Sequence, residues 1–331
     1  MHPVLELIRK RKEENSQPGR RNDKHKLGLA IEGGGMRGLV TSGMGTAIEK
    51  LKLLNTFDIV YGTSAGAFNG AYLIAGQANY GGTIYYQNIN NYTFIDLRRF
   101  FSPGKSVMSL EYLVYEVATK QKVLDCQAII NSPIPLVMIV SSVEELKAVH
   151  FRNFSSADEI YKGLVATARM PVIAGPPVNI KGLHYYDGGV FESIPFHSAI
   201  ADGCTHVLVF LSRPMGRQIP KPNIFEKVTT RVALRKYPGI EQALDKRREG
   251  YPKIIESLIS KTQNGDGPPY IYAVQPSLNF HEVNRLERDR QKLLNGAIAG
   301  FSAVFKLFSE KDFRVCELLE VFSPDGRRLD G

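Results

Sequence analysis

Apolar residues come in short runs and in helical stripes, and the two alternate along the first half of the chain. Leu27–Glu32 (LGLAIE) is a compact apolar run bounded by glycines, and it predicts a buried strand. Beyond Gly33–Gly38, apolar residues recur at Met44, Ala47, Ile48, Leu51 and Leu54, the spacing of one helix face. Phe57–Tyr61 predicts a second strand, Gly62–Gly66 a tight turn, and Ala67–Gly76 a second helix. Strand, helix, strand, helix in this order implies right-handed crossovers and a mainly parallel sheet covered on both faces. Further strands are expected at Pro135–Val140, at Pro177–Ile180 with His184–Tyr186, and at His206–Leu211, with helices over Ala157–Ala168 and from Pro195 to Ala201. Residues 79–125, rich in Tyr, Asn and Phe, read as an excursion over the active-site end of the sheet.

Two ends depart from this rhythm. Residues 1–26 read as a charged N-terminal tail carrying one short helix at Val4–Lys12. After Arg213, the prolines Pro214, Pro220 and Pro222 suggest a linker. Residues 223–262 and 282–310 follow as charged amphipathic helices around a strand at Tyr270–Val274. The expected organisation is therefore 1–26 tail, 27–212 catalytic-type α/β domain, and 220–331 a mostly helical region packed onto it. The fold class is α/β, a three-layer α/β/α arrangement.

Composition narrows the functional classes. Of 331 residues, 43% are hydrophobic and 23% charged, which suits a globular chain with a sizeable core. Cys126, Cys204 and Cys316 share no close spacing, so neither a disulfide framework nor a metal site is expected, and a reducing cytoplasmic setting fits. The net charge of +9 favours anionic surfaces, with basic residues concentrated at 9–26 and 231–253. No nucleic-acid signature accompanies it, so a nucleic-acid partner is not expected. No apolar run approaches the roughly 18 residues of a membrane span, and the N-terminus lacks a signal-peptide pattern, so contact with an anionic membrane would be peripheral. The oligomeric state is not legible.

Three local motifs carry the chemistry. Gly33, Gly35 and Gly38 fit G-x-G-x-x-G between a strand and a helix. A dinucleotide fingerprint occupies that context, and Asp58 lies 20 residues past Gly38. Asp58, however, opens its strand, whereas a ribose-binding acid belongs at the strand's end. A P-loop is excluded by Leu39 and Val40. The same loop suits an oxyanion hole, its backbone N–H groups converging at a helix N-terminus, with Arg37 holding the loop or attracting a phosphate headgroup. Gly62-Thr63-Ser64-Ala65-Gly66 fits the G-x-S-x-G turn that lifts a serine hydroxyl clear of a sheet, where the Ala65 N–H can join the oxyanion donors. Loops after successive parallel strands emerge at one sheet edge, so the two motifs should meet. The serine needs a base. Asp187, in Asp187-Gly188-Gly189, is one choice, and His150, His184, His197 and His206 are others.

In this order the three motifs resemble the patatin-like phospholipases, a likeness covering about residues 27–212. It includes Ala168-Arg169-Met170-Pro171, Pro176-Pro177-Val178, and Pro195 with Ala199 and Gly203. The resemblance implies a lipid acyl hydrolase with Ser64 as nucleophile and Asp187 as base in a Ser-Asp dyad without histidine. It implies an oxyanion hole from Gly33, Gly34, Gly35, Arg37 and Gly38, and neither metal nor organic cofactor. Arg169 and Met170 replace the small residues usual before the proline, which should reshape the pocket. The other readings of the same residues are a Ser-His-Asp α/β-hydrolase and a nucleotide-binding protein using Gly33–Gly38.

Overall fold

The computed structural model describes residues 1–102, 104–214, 224–277 and 282–309; Pro103, Pro220, Pro222 and Cys316 lie outside them. Helix α1 (Pro3–Glu13) precedes β1 (Leu27–Ile31), α2 (Gly38–Lys50), β2 (Ile59–Thr63) and α3 (Ala65–Ile74). Short helices α4 (Ala78–Gly82) and α5 (Ile84–Gln87), a π-helix at Tyr112–Gln121 and α6 (Cys126–Ile130) make up the excursion. Then come β3 (Leu136–Ser142), β4 (Lys147–Phe151), α7 (Ala157–Ala168), β5 (Val178–Ile180), β6 (Leu183–Asp187), α8 (Phe196–Ala201) and β7 (His206–Phe210). The remainder is α9 (Ile224–Ala233), α10 (Pro238–Asn264), β8 (Tyr270–Val274) and α11 (Arg290–Phe308).

One sheet runs through the molecule in the order β5-β6-β3-β2-β1-β7-β8, with β4 also paired to β3. The β3–β2–β1–β7–β8 stretch is parallel, and β4, β5 and β6 run antiparallel to their neighbours. Side chains alternate across it. Leu29, Ile31, Val60, Leu208 and Phe210 enter the core shared with α2, α3 and α11. Ala30, Tyr61, Val137, Ile139, Val207 and Val209 enter the one shared with Phe196 of α8 and with Tyr251 and Leu258 of α10. These are the two outer layers of an α/β/α sandwich.

Both ends of the described chain are more deeply integrated than their composition suggests. Residues 1–26 are packed rather than tail-like: Val4, Leu5, Leu7 and Ile8 are buried on one face of α1. Arg11 on the same helix is fully buried and paired with Asp23 at 2.7 Å and Asp58 at 2.8 Å. The charge density of the segment hid an internal ion-pair network. Likewise the region after β7 completes the sheet rather than merely packing on it. β8 adds in parallel to β7, from His206↔Tyr270 to Phe210↔Val274. Gly300 of α11 lies against the backbone of Val40 in α2, a contact that only a residue without a Cβ permits. Among the described residues no helix is long and apolar enough to cross a membrane.

Candidate functional site

The sheet register brings the three motifs together. β2 pairs with β3 from Val60↔Leu136 to Thr63↔Ile139. β6 pairs with β3 from Val140↔Asp187 to Ser142↔Tyr185. Because β4 occupies one edge of β3 from Met138 to Ser142, β2 and β6 must share the opposite edge, end to end. Ser64 follows the last residue of β2 and Asp187 is the last residue of β6, so the two C-terminal tips meet head on.

Ser64 sits on a strained turn. Its φ of +56° and ψ of −127° are costly for a residue with a side chain, and such strain persists where surrounding contacts enforce it. Two do so here. The Ser64 N–H donates to Thr167 Oγ1 at 2.9 Å, and Gly66 presses so closely on the Ile31 carbonyl oxygen that no Cβ fits. Ala65 then opens α3.

The glycine loop leaves β1 beside this turn. Accounting for its amides separates the candidate donors. Gly33 N–H donates to Ser193 O at 3.4 Å, Met36 N–H to Arg285 O at 3.0 Å, and Arg37 N–H to Gly34 O at 3.3 Å. Gly38 N–H turns back onto Gly35 and Met36 carbonyls. Gly34 and Gly35 are left with no acceptor among the described residues, as is Ala65 at the start of α3. Gly35 adopts a φ of +59°, and the Arg285 carbonyl lies so near that a Cβ would sit 2.7 Å from it.

Arg37 is not free to reach a ligand. Its Nε donates to Ser212 Oγ at 2.9 Å, and Glu282 lies 3.7 Å from its Nη1. Burial, and then the neighbouring Arg213, lower its pKa to about 10. Of its two expected roles, holding the loop is the one the contacts describe. Behind it, Glu32 accepts from Ser212 Oγ at 2.7 Å and from Tyr251 OH at 2.6 Å.

Asp187 is 1% exposed. Its Oδ1 accepts from Gly189 N–H at 2.7 Å, while Oδ2 is buried with no donor inside hydrogen-bond distance. Burial raises its pKa above the ordinary 3.8, opposed first by the Ser64 side chain, then by the Gly189 amide, Arg247 and Arg285. The serine–carboxylate contact is thus looser than a standard hydrogen bond, which is usual before substrate tightens a site.

The histidines are engaged elsewhere. His150 meets Ser198 Oγ at 2.7 Å, His184 meets Glu144 at 2.8 Å on the surface, and His197 lies against Phe196 with ring centroids 3.9 Å apart. His206 is buried, and desolvation lowers its pKa to about 4. None lines the cavity that contains Ser64 and Asp187. Asp58 lies just before β2, at the opposite end of that strand from Ser64, in ion pairs with Arg11 and Arg21 at 2.8 and 2.7 Å; it is far from the glycine loop it would serve in a dinucleotide site. No group of acidic, His and Cys side chains among the described residues could hold a metal ion.

The cavity encloses about 660 Å³ including its open mouth. Phe68, Tyr72, Ile84, Tyr85, Ile89, Phe94, Met108, Leu110, Leu113 and Met170 form its apolar wall; Gly35, Met36, Ser64, Ala65, Asp187 and Arg285 form its polar end. Arg169, by contrast, turns away to the Ala174 carbonyl and Glu111. Two residues whose charge acts on Asp187 had no signal of that role in the sequence: Arg285, within the stretch 282–310 expected to be helical although α11 starts only at Arg290, and Arg247, one of several basic residues on α10.

Comparison with known proteins shows the family of the chain. The family model described as patatin-like phospholipase matches residues 29–200. The uncharacterized protein YjjU of Escherichia coli (strain K12) is 24% identical over 317 residues, covering 93% of this chain and 85% of its own. Patatin-like phospholipase domain-containing protein 2 of Mus musculus is 24% identical over 176 residues, covering 52% of this chain and 35% of its own. Among solved structures, VipD from Legionella pneumophila superposes with a TM-score of 0.46 at 11% identity, over 86% of this chain and 67% of that one.

Proposed function

The chain belongs to the patatin-like phospholipase family, and from that premise we propose that it is a lipid acyl hydrolase working through a Ser64–Asp187 dyad. Membership implies a lipid substrate; the dyad, its donors and the course of reaction are our reading. The observation that carries it is the end-to-end meeting of β2 and β6 on one edge of β3, which delivers the serine and the buried carboxylate to the same cavity.

The acyl chain lies along the apolar wall and its ester carbonyl reaches Ser64. Ser64 Oγ attacks the carbonyl carbon and passes its proton to Asp187. The Gly34, Gly35 and Ala65 amides stabilise the oxyanion; each such donor is worth roughly 10²–10³ in rate. Collapse of the intermediate expels the alcohol, which takes the proton from Asp187 and leaves an acyl-serine. Water then attacks the acyl carbon, gives a proton to Asp187, and the fatty acid departs as that proton returns to Ser64. Raised by burial, the Asp187 pKa makes this carboxylate a better base than a solvated one.

A fluorophosphonate probe tests the reading. The expected result is one covalent adduct, on Ser64, absent in Ser64→Ala; no adduct, or one on another serine, overturns it. Leu97, Phe100 and Phe101 are exposed beside Arg98 and Arg99 on a short helix near the cavity, and this apolar and basic edge supports contact with anionic membranes. Flotation with anionic but not neutral vesicles is expected, and equal flotation with both would count against it.

A further inference from the structure

A second cavity lies behind the Asp-Gly-Gly turn. It opens between α10 and the chain from Val190 to His197, encloses about 960 Å³ including its mouth, and shares no lining residue with the cavity of Ser64. That volume falls in the range of small-molecule sites. Leu146, Val190, Phe191, Ile194, Ala243 and Ile254 give it apolar walls.

Most of its polar lining is already spent. Glu192 accepts from Ser198 N–H at 2.9 Å through Oε1 and from Ser198 Oγ through Oε2. Tyr251 OH donates to Glu32 at 2.6 Å. Gln242, Lys246 and His197 are exposed to water. Arg247 differs from all of these. It is half-buried in the cavity lining, and its guanidinium has no hydrogen bond or ion pair among the described residues. Its Cζ stands 3.8 Å from where a Cβ on Gly189 would lie, while the Gly189 N–H is turned to Asp187 Oδ1 at 2.7 Å. The turn therefore offers this guanidinium no hydrogen-bond acceptor.

A cation with unused N–H groups beside apolar walls is unfavourable until an acceptor completes it. The guanidinium fork matches the two oxygens of a carboxylate. One desolvated cation balances one negative charge, whereas a dianion would leave surplus charge out of water. The walls call for a hydrocarbon body. We propose that this cavity is a second ligand site, taking an amphiphilic monocarboxylate of the medium-chain fatty acid type, its carboxylate on Arg247 and its tail between α10 and residues 190–197. The site stands apart from Ser64 and needs no ester cleavage, so failure of the hydrolase reading would leave it untouched.

Isothermal titration calorimetry with decanoate, below its micelle concentration, tests the proposal. Wild type should show a binding event that Arg247→Gln weakens at least about tenfold, the value of one good charge-assisted contact pair, and that Arg247→Lys keeps in part. Gly250→Leu should abolish it by filling the cavity. Gly250 lines the space and a Cβ there would meet nothing within 4 Å, so the side chain enters without a backbone clash, and a helix interior favours Leu over Gly. Its Tm should equal or exceed that of wild type. Met170→Trp, which narrows the Ser64 cavity, should leave this event in place. Binding that survives both Arg247→Gln and Gly250→Leu, or that only Met170→Trp removes, belongs to the Ser64 cavity and overturns the proposal. Decanol should bind at least about tenfold more weakly than decanoate; equal binding overturns the carboxylate assignment, as does tighter binding of octyl phosphate. Decanoate carrying a terminal diazirine should photolabel residues 190–197 or 239–254, and labelling confined to residues 65–170 would rule the second site out.

Discussion

The two walls of the cavity are built by different logic. The apolar wall comes from α3, the short helices after it, and the π-helix region, all between Ala65 and Met170, and it is held mainly by burial, with Tyr72 OH donating to the Lys122 carbonyl and Tyr85 OH to Asn69 Oδ1. The charged end is assembled from distant pieces: the loop after β1, the Ser64 turn after β2, Asp187 at the end of β6 and Arg285 in the segment before α11. Ser64 and Asp187 lie on the seam between them. An apolar wall tolerates change in small steps, each buried methylene counting for about 0.8 kcal/mol. A charged end tolerates little, because removing one member leaves its neighbours uncompensated. The difference teaches that the two walls of this cavity can be altered separately.

Experiments can break or sharpen that division. The largest effect belongs to the seam itself: Ser64→Ala and Asp187→Asn should each lower kcat/KM on a p-nitrophenyl ester on the order of 10⁴-fold. An Asp187→Asn enzyme keeping a tenth of its activity would dissolve the seam. Next comes the apolar wall. Met170→Trp should shift the preferred acyl chain downward, by roughly fourfold in kcat/KM for each methylene that loses its contact. An unshifted profile over esters of increasing length would mean that the chain lies elsewhere.

The smallest effects are in pH. The acid limb of kcat/KM should lie above the ordinary carboxylate pKa of 3.8, because burial raises Asp187. Arg285→Gln should move it higher still, since the cation favours the charged form. The sign for folding is opposite to that of a salt-bridged acid. With its native pKa raised, Asp187 binds a proton more tightly in the folded state, so its contribution to stability falls as pH rises through that interval. Asp187→Asn should therefore have a higher Tm than wild type at neutral pH, a gap that narrows on acidification. Calorimetry at several pH values reads this directly.

What the sequence reveals tracks how local the cause is. Gly62–Gly66, the Gly33–Gly38 loop and Asp187-Gly188-Gly189 are readable because backbone sterics at each turn demand those residues within a few positions. The strand at Tyr270–Val274 and the helix over Ala157–Ala168 stand where periodicity and capping put them. The segment 1–26 misleads because its charges are satisfied by partners far along the chain, such as Asp58 for Arg11. β4 has a half-exposed pattern with no clear alternation and escapes notice. Arg247 and Arg285 are invisible for a deeper reason: a guanidinium 60 residues from the aspartate it faces leaves no local imprint, as Asp187 and Arg247 show.

The clasp between Met36 N–H and the Arg285 carbonyl joins a loop made early to a segment made late. On the ribosome, the nucleophile turn and its sheet partners emerge long before residue 285 does. Until then the glycine loop lacks its fastening and β7 its outer neighbour. A nascent chain therefore cannot complete this pocket halfway through its own synthesis; the Gly33–Gly38 loop is fastened and β7 gains its neighbour only when the final third has threaded into place.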